Sequence, residues 1–165
     1  MGHNIRAFLG ENDSINSLAK NWRSSPVQLS QGLSMLLLTD KLFDDITESV
    51  NIHNTITIDG FTYLTSSIMF ILEKYSQNGK LAYFETDYFG GTGTQSAVIF
   101  ENGILLKTYK SDIDDIDTAT PSPDRFLDKP INTVLRQFGV IRMAALDEFD
   151  TLGLGNYRNM PDDDG

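Results

Sequence analysis

The sequence predicts an α+β fold: an antiparallel sheet, including a meander in the C-terminal half, packed with about four helices. Three observations carry this reading. Apolar residues recur at helical spacing in four separate windows. The stretch 81–109 is dense in β-formers and contains Asn102-Gly103, the strongest short hairpin signal, because a type I′ turn needs positive φ at both central positions. Hydrophobic residues make up 40 % of 165, enough to bury a core, and no interior linker divides them. The chain therefore reads as one domain, 1–165.

Ile5 to Leu9 is a short strand candidate ending at Gly10. Asn12 or Asp13 can cap a helix in which Ile15, Leu18, Ala19 and Trp22 fall at i, i+3, i+4 and i+7. Val27 to Leu38 reads as extended, with Gly32 marking a bend or bulge. Its run Met35-Leu36-Leu37-Leu38 is apolar on both faces, which suits a central strand. Thr39 or Asp40 caps a second helix carrying Leu42, Phe43, Ile46 and Val50. Thr55 to Ile58 alternates as a short strand does, and Asp59-Gly60 supplies a turn. The clearest helix follows over about Phe61 to Ser76, with Leu64, Ile68, Ile71, Leu72 and Tyr75 in period and Asn78-Gly79 as its stop.

The meander comprises Leu81–Phe89, Gln95–Glu101 and Ile104–Tyr109. An acidic loop, open to mobility, is expected over 111–129. A fourth helix carries Ile131, Val134, Leu135 and Phe138. Val140 to Met143 reads as a last short strand, Asp147 to Leu152 as a helical turn, and 156–165 as an acidic tail.

Lys and Arg total 13 against 23 Asp and Glu, a formal charge of −10. Such a field repels phosphate backbones and anionic lipid and attracts basic partners, so nucleic acid and membrane are not expected as partners. Ordinary solubility is the plainer explanation of the same charge. There are no cysteines, which excludes a disulfide framework and any thiolate metal site. The first residues lack a basic segment followed by a long apolar run, so a cytoplasmic location is expected.

Several segments invite a chemical reading. Phe89-Gly90-Gly91-Thr92-Gly93-Thr94-Gln95 suggests a phosphate loop, but a strand follows it and no Lys succeeds the last Gly, so a hairpin connection is the simpler reading. Glu85 and Asp87 lie two apart on a strand and share one face with Tyr83. Paired carboxylates can do acid–base work, and they are also what the solvated face of a sheet shows. Asp112, Asp114, Asp115 and Asp117 do not make a calcium loop: Asp117 stands where Gly is needed and Pro123 where Glu is needed. They suit a docking surface for Lys and Arg, or simply a solvated loop. His3 and His53 have no partner pattern. No catalytic residue, metal ligand or cofactor is assigned.

The pieces Ala82-Tyr83-Phe84-Glu85-Thr86-Asp87-Tyr88-Phe89-Gly90-Gly91, Gln95-Ser96-Ala97-Val98, Pro130-Ile131-Asn132-Thr133-Val134-Leu135-Arg136 and Asp147 to Gly155 resemble a family of small bacterial proteins with a Glu-Thr-Asp-Tyr-Phe-Gly-Gly-type strand and turn and a Gly-x-Gly-type end. The likeness covers roughly the C-terminal half and brings no catalytic residues with it. By type, the chain also resembles immunity proteins of bacterial toxin systems, which are small, acidic, cysteine-free and without an export signal. That likeness implies an inhibitor of a basic toxin domain, with a nuclease the first candidate. Its contacts would be Glu85, Asp87, Asp112, Asp114, Asp115 and Asp117, with Tyr88 and Phe89 as apolar anchors. Two alternatives stand beside it. One is an enzyme acting on a small or metal-bound substrate through Glu85 and Asp87. The other is a self-associating structural subunit using Tyr83 to Phe89 as an edge strand.

Overall fold

Five apolar or small residues in the seven from Ile5 to Glu11 leave one solution for the first strand: both faces must be covered. In the computed structural model, which describes residues 2–56, 58–89, 92–111 and 129–161, Arg6–Glu11 is strand β1 and every residue but Glu11 is buried. Helix α1 (Asn12–Asn21) follows directly. Its first turn differs from expectation. Asn12 is the first helical residue, and its side chain accepts a hydrogen bond from Ser34 Oγ at 2.6 Å rather than capping the helix.

The extended run expected over Val27–Leu38 is a hairpin. Strand β2 (Val27–Gln28) pairs antiparallel with β3 (Leu33–Leu37), and Gln31 and Gly32 turn the chain at positive φ. Thr39 caps helix α2 (Asp40–Val50), accepting from Leu42 N at 3.1 Å. Helix α3 runs Ser66–Tyr75, starting later than the sequence suggests, because Thr65 is its N-cap and 58–65 is held elsewhere. Among the described residues of the strand expected over Thr55–Ile58, an isolated bridge between Ile56 and Thr65 is what forms.

The meander is present as β4 (Lys80–Phe89), β5 (Thr92–Glu101) and β6 (Ile104–Ser111), with Asn102 and Gly103 both at positive φ as the hairpin requires. Helix α4 is Pro130–Gln137, and α5 is the single turn Glu148–Thr151, capped by Asp147. The described residues thus hold four longer helices and the single turn α5, in keeping with the sequence reading. No strand forms over Val140–Met143. Gln31 takes both backbone groups of Ile141 through its side chain, in place of a neighbouring strand.

All strand pairs are antiparallel, in the order β2-β3-β1-β4-β5-β6. The sheet is covered on both faces. Phe8, Leu36, Tyr83, Val98 and Phe100 pack against α1, α2 and α3. Ala7, Leu9, Met35, Phe84 and Ile99 pack with Ile131, Val134 and Leu135 of α4 and Leu152 and Leu154 beyond it. Strand β4 lies between β1 and β5, so the idea of Tyr83–Phe89 as an edge strand is corrected: among the described residues the edges are β2 and β6. No helix of the described residues is long and apolar enough to cross a membrane.

Candidate functional site

The register of the sheet sets a sharp boundary between core and polar end. Phe8, Tyr83 and Val98 form one cross-strand row, all fully buried. Two residues on, the same face carries Arg6, Glu85 and Ser96 as the next row, and then Asp87 opposite Thr94. A cavity of about 290 Å³ remains there, walled by Asn4 and Arg6, by Glu85 and Asp87, by Thr94 and Ser96, and on one side by Gly60, Thr62 and Tyr63.

The segment 58–65 crosses this end of the sheet, and polar contacts hold it. Glu85 accepts from Thr62 N and Tyr63 N, both at 2.6 Å, and from the Tyr83 hydroxyl at 2.9 Å. Hydrogen bonds to an ionised carboxylate are roughly twice as strong as neutral ones. Ser96 Oγ donates to Gly60 O at 2.6 Å. Arg6 is 8 % exposed and places its guanidinium 3.8 Å from the centre of the Tyr63 ring, while its Nη2 pairs with Asp40 at the start of α2. Its Nε has no hydrogen-bond partner among the described residues. Burial pushes the Tyr83 hydroxyl well above its ordinary pKa, and the adjacent Glu85 carboxylate pushes it further, so Tyr83 stays a donor.

The expected site residues therefore part company. Glu85 and Asp87 do share one face and one cavity, as their spacing implied. Glu85 works inward, on its own chain. Asp87 is exposed. Tyr88 points to the opposite face and is half-buried beside His3, Gln95 and Phe149 around a second cavity of about 230 Å³. Burial raises its hydroxyl pKa, and hydrogen bonds with Ser111 and Gln95 offset part of that rise. Phe89, at the strand end, is 84 % exposed. Asp112, Asp114, Asp115 and Asp117, with the rest of 112–128, lie outside the described residues, as does the end of the acidic tail, 162–165.

His3 closes the second cavity. Its Nδ1 lies 2.8 Å from Thr86 Oγ1 and its Nε2 3.3 Å from Leu154 O. Burial lowers its pKa, the Arg158 charge lowers it further, and the contact with Leu154 O opposes both.

The glycine-rich segment has a steric explanation at Gly93. A Cβ there would stand 2.0 Å from Asp87 O and 2.6 Å from Tyr88 Cα. The hairpin closes tightly because that side chain is absent. No group of three or more His, Cys, Asp or Glu that could hold a metal ion occurs among the described residues.

Sequence reasoning missed Arg6, Asp40 and Tyr63, which three separate segments bring together. The one signal for them is a charged residue set inside the apolar run Ile5-Arg6-Ala7-Phe8-Leu9. No family model matches the chain, and neither the curated proteins nor the solved structures provide a match in sequence or in fold.

Proposed function

We propose that this chain is an immunity-type inhibitor that binds and neutralises a basic toxin domain, with a nuclease as the first candidate. The observation that carries the reading is the use of Glu85. Both of its oxygens accept hydrogen bonds from the protein's own backbone and from Tyr83. A carboxylate committed in this way is poorly placed to move protons on a substrate. Asp87 is left without it as a partner for acid–base work, and the −10 charge of the chain remains as its main chemical resource. A nuclease needs a positive cleft for phosphates, and an acidic protein can occupy that cleft and associate quickly with it.

The test is co-expression. The C-terminal region encoded by the neighbouring gene is expressed with and without this chain, and host growth is followed. Toxicity alone, growth with this chain, and co-purification of the pair are expected. A harmless neighbour that does not co-purify counts against the reading.

A second reading is favoured by one feature, the concave cavity that Glu85 and Asp87 both line. It makes the chain an enzyme for a small polar substrate. It predicts that Asp87→Asn abolishes turnover of a hit from a metabolite screen while the fold is kept, and an active D87N variant removes it.

A further inference from the structure

Residues 3–5 continue the path of β1, and the two flanks of that extension have different partners. On one flank stands β4. Thr86 N donates to Ile5 O at 2.8 Å, His3 N to Tyr88 O at 2.9 Å, and Tyr88 N to His3 O at 2.8 Å. On the other flank β3 ends at Leu37, and Leu38 N makes the last contact, donating to Arg6 O at 2.9 Å. Residues 158–160 take its place. Asn4 N donates to Arg158 O at 2.6 Å, Asn4 bridges Asn159 in parallel, and Arg6 N meets Met160 Sδ at 3.5 Å.

This second flank is thinly held. Leu154 is fully buried, but no residue of 155–161 is buried. A thioether is a weak acceptor, so the contact of Arg6 N with Met160 adds little. Segments with few buried apolar contacts and exposed backbone hydrogen bonds open locally at low cost.

His3 ties the parts together. Its Nε2 lies 3.3 Å from Leu154 O, and a carbonyl only accepts, so Nε2 carries the hydrogen of that contact. In the neutral ring Nδ1 is then the acceptor, and the Thr86 hydroxyl donates to it at 2.8 Å. A second proton would enter at Nδ1. The Thr86 hydroxyl would have to turn its hydrogen toward Ile5 O at 3.4 Å, while its oxygen accepted from both Nδ1 and Ile5 N. A short bond is exchanged for a long one, and a half-buried ring gains a charge.

The surroundings do not offset that charge. Thr86 and Tyr88 of β4, Gln95 of β5, Phe149 of α5 and Arg158 face the ring, Phe149 edge-on with ring centres 5.2 Å apart. No carboxylate is among the described residues that line this cavity. Asp150, the next residue on α5, has its pKa raised by burial and by the Asp147 charge. Burial holds the His3 pKa below its ordinary value, the Leu154 O contact opposes this, and the Arg158 charge adds to it. The unfastened ring keeps the ordinary value. The His3 contribution is therefore full above about pH 6.5 and is lost as pH falls through the lower value of the fastened state.

We propose that residues 2–5 and 155–161 form a clasp that opens when His3 is protonated, freeing the Asn4 and Arg6 N–H groups on that flank of β1. The clasp stands apart from the inhibitor reading.

The test is amide hydrogen exchange by NMR on the full chain, from about pH 7.5 to about pH 5, corrected for the intrinsic pH dependence of exchange. Asn4 reports the clasp, and Val98, fully buried in β5, reports global unfolding. Protection of Asn4 is expected to fall by about threefold or more relative to Val98, with the midpoint of the His3 ring resonance, and not to fall in His3→Gln. A change below about 1.5-fold across the ring titration overturns the clasp. So does an equal fall in His3→Gln, a loss shared equally by Val98, or an Asn4 amide already unprotected at the higher pH. If His3→Gln fails to fold, the wild type decides: coincident midpoints of Asn4 exchange and the His3 ring support the clasp, and separate midpoints overturn it.

Discussion

The polar end of the sheet and the 141–146 segment use their side chains in opposite ways. At the sheet end, Glu85, Tyr83, Arg6 and Ser96 are charged or polar, and each reaches into its own protein to hold 58–65 or α2. In 141–146 five of the six side chains are apolar and all are exposed, while hydrogen bonds with Gln31 and Thr151 fix the backbone beneath them. A charged residue in a cavity is thus not by itself a contact residue, and an apolar residue in a loop is not by itself core. The internal partners decide which is which.

The largest effect is expected at Gly93, which frames the polar end. Gly93→Ala drives a Cβ into the backbone of Asp87 and Tyr88, and backbone cannot yield as a side chain does. A loss of about 3 kcal/mol or more in urea unfolding is expected. A loss below about 0.5 kcal/mol shows that the hairpin tolerates a side chain there. Tyr83→Phe removes one donor to Glu85 and leaves the two backbone donors in place, so about 1 kcal/mol is expected by the same method. Asp87→Ala, two residues along the same face, removes an exposed carboxylate and should change stability by less than about 0.5 kcal/mol. An Asp87→Ala variant as unstable as Tyr83→Phe breaks the distinction between the inward and outward carboxylates.

The smallest effect is a pH dependence. The fold holds His3 with a pKa below 6.5, chiefly by burial. The unfolded chain then binds the proton more readily. The His3 contribution is present above about pH 6.5 and is lost as pH falls through the lower, folded value. Urea midpoints of wild type and His3→Asn should draw closer or cross as pH falls from 7 toward 5. A constant gap between them contradicts that assignment.

Much of the fold was legible because its signals are local. Asn102-Gly103 names its own turn, and Ile15, Leu18 and Ala19 mark the buried stripe of α1. The two-residue spacing of Glu85 and Asp87 likewise placed both on one face. The misreadings arose where distant groups intervened. Val140–Met143 has the composition of a strand, but the Gln31 side chain, 110 residues earlier, meets its backbone groups. The helix expected from Phe61 begins only at Ser66 because Glu85, on another element, takes the Thr62 and Tyr63 N–H groups. No pattern around Glu85 reveals that its acceptors are already engaged, since both backbone donors lie over twenty residues away.

The most direct test of this division is one paired urea-unfolding experiment on Glu85→Ala and I141S/M143S. Glu85→Ala removes an acceptor shared by two backbone N–H groups and a buried hydroxyl, and should lose about 2–3 kcal/mol. I141S/M143S trims two side chains that already face water, and should stay within about 0.5 kcal/mol of wild type. The reverse result, a stable Glu85→Ala and a destabilised I141S/M143S, would mean that the cavity is free for a ligand and that the loop serves the core.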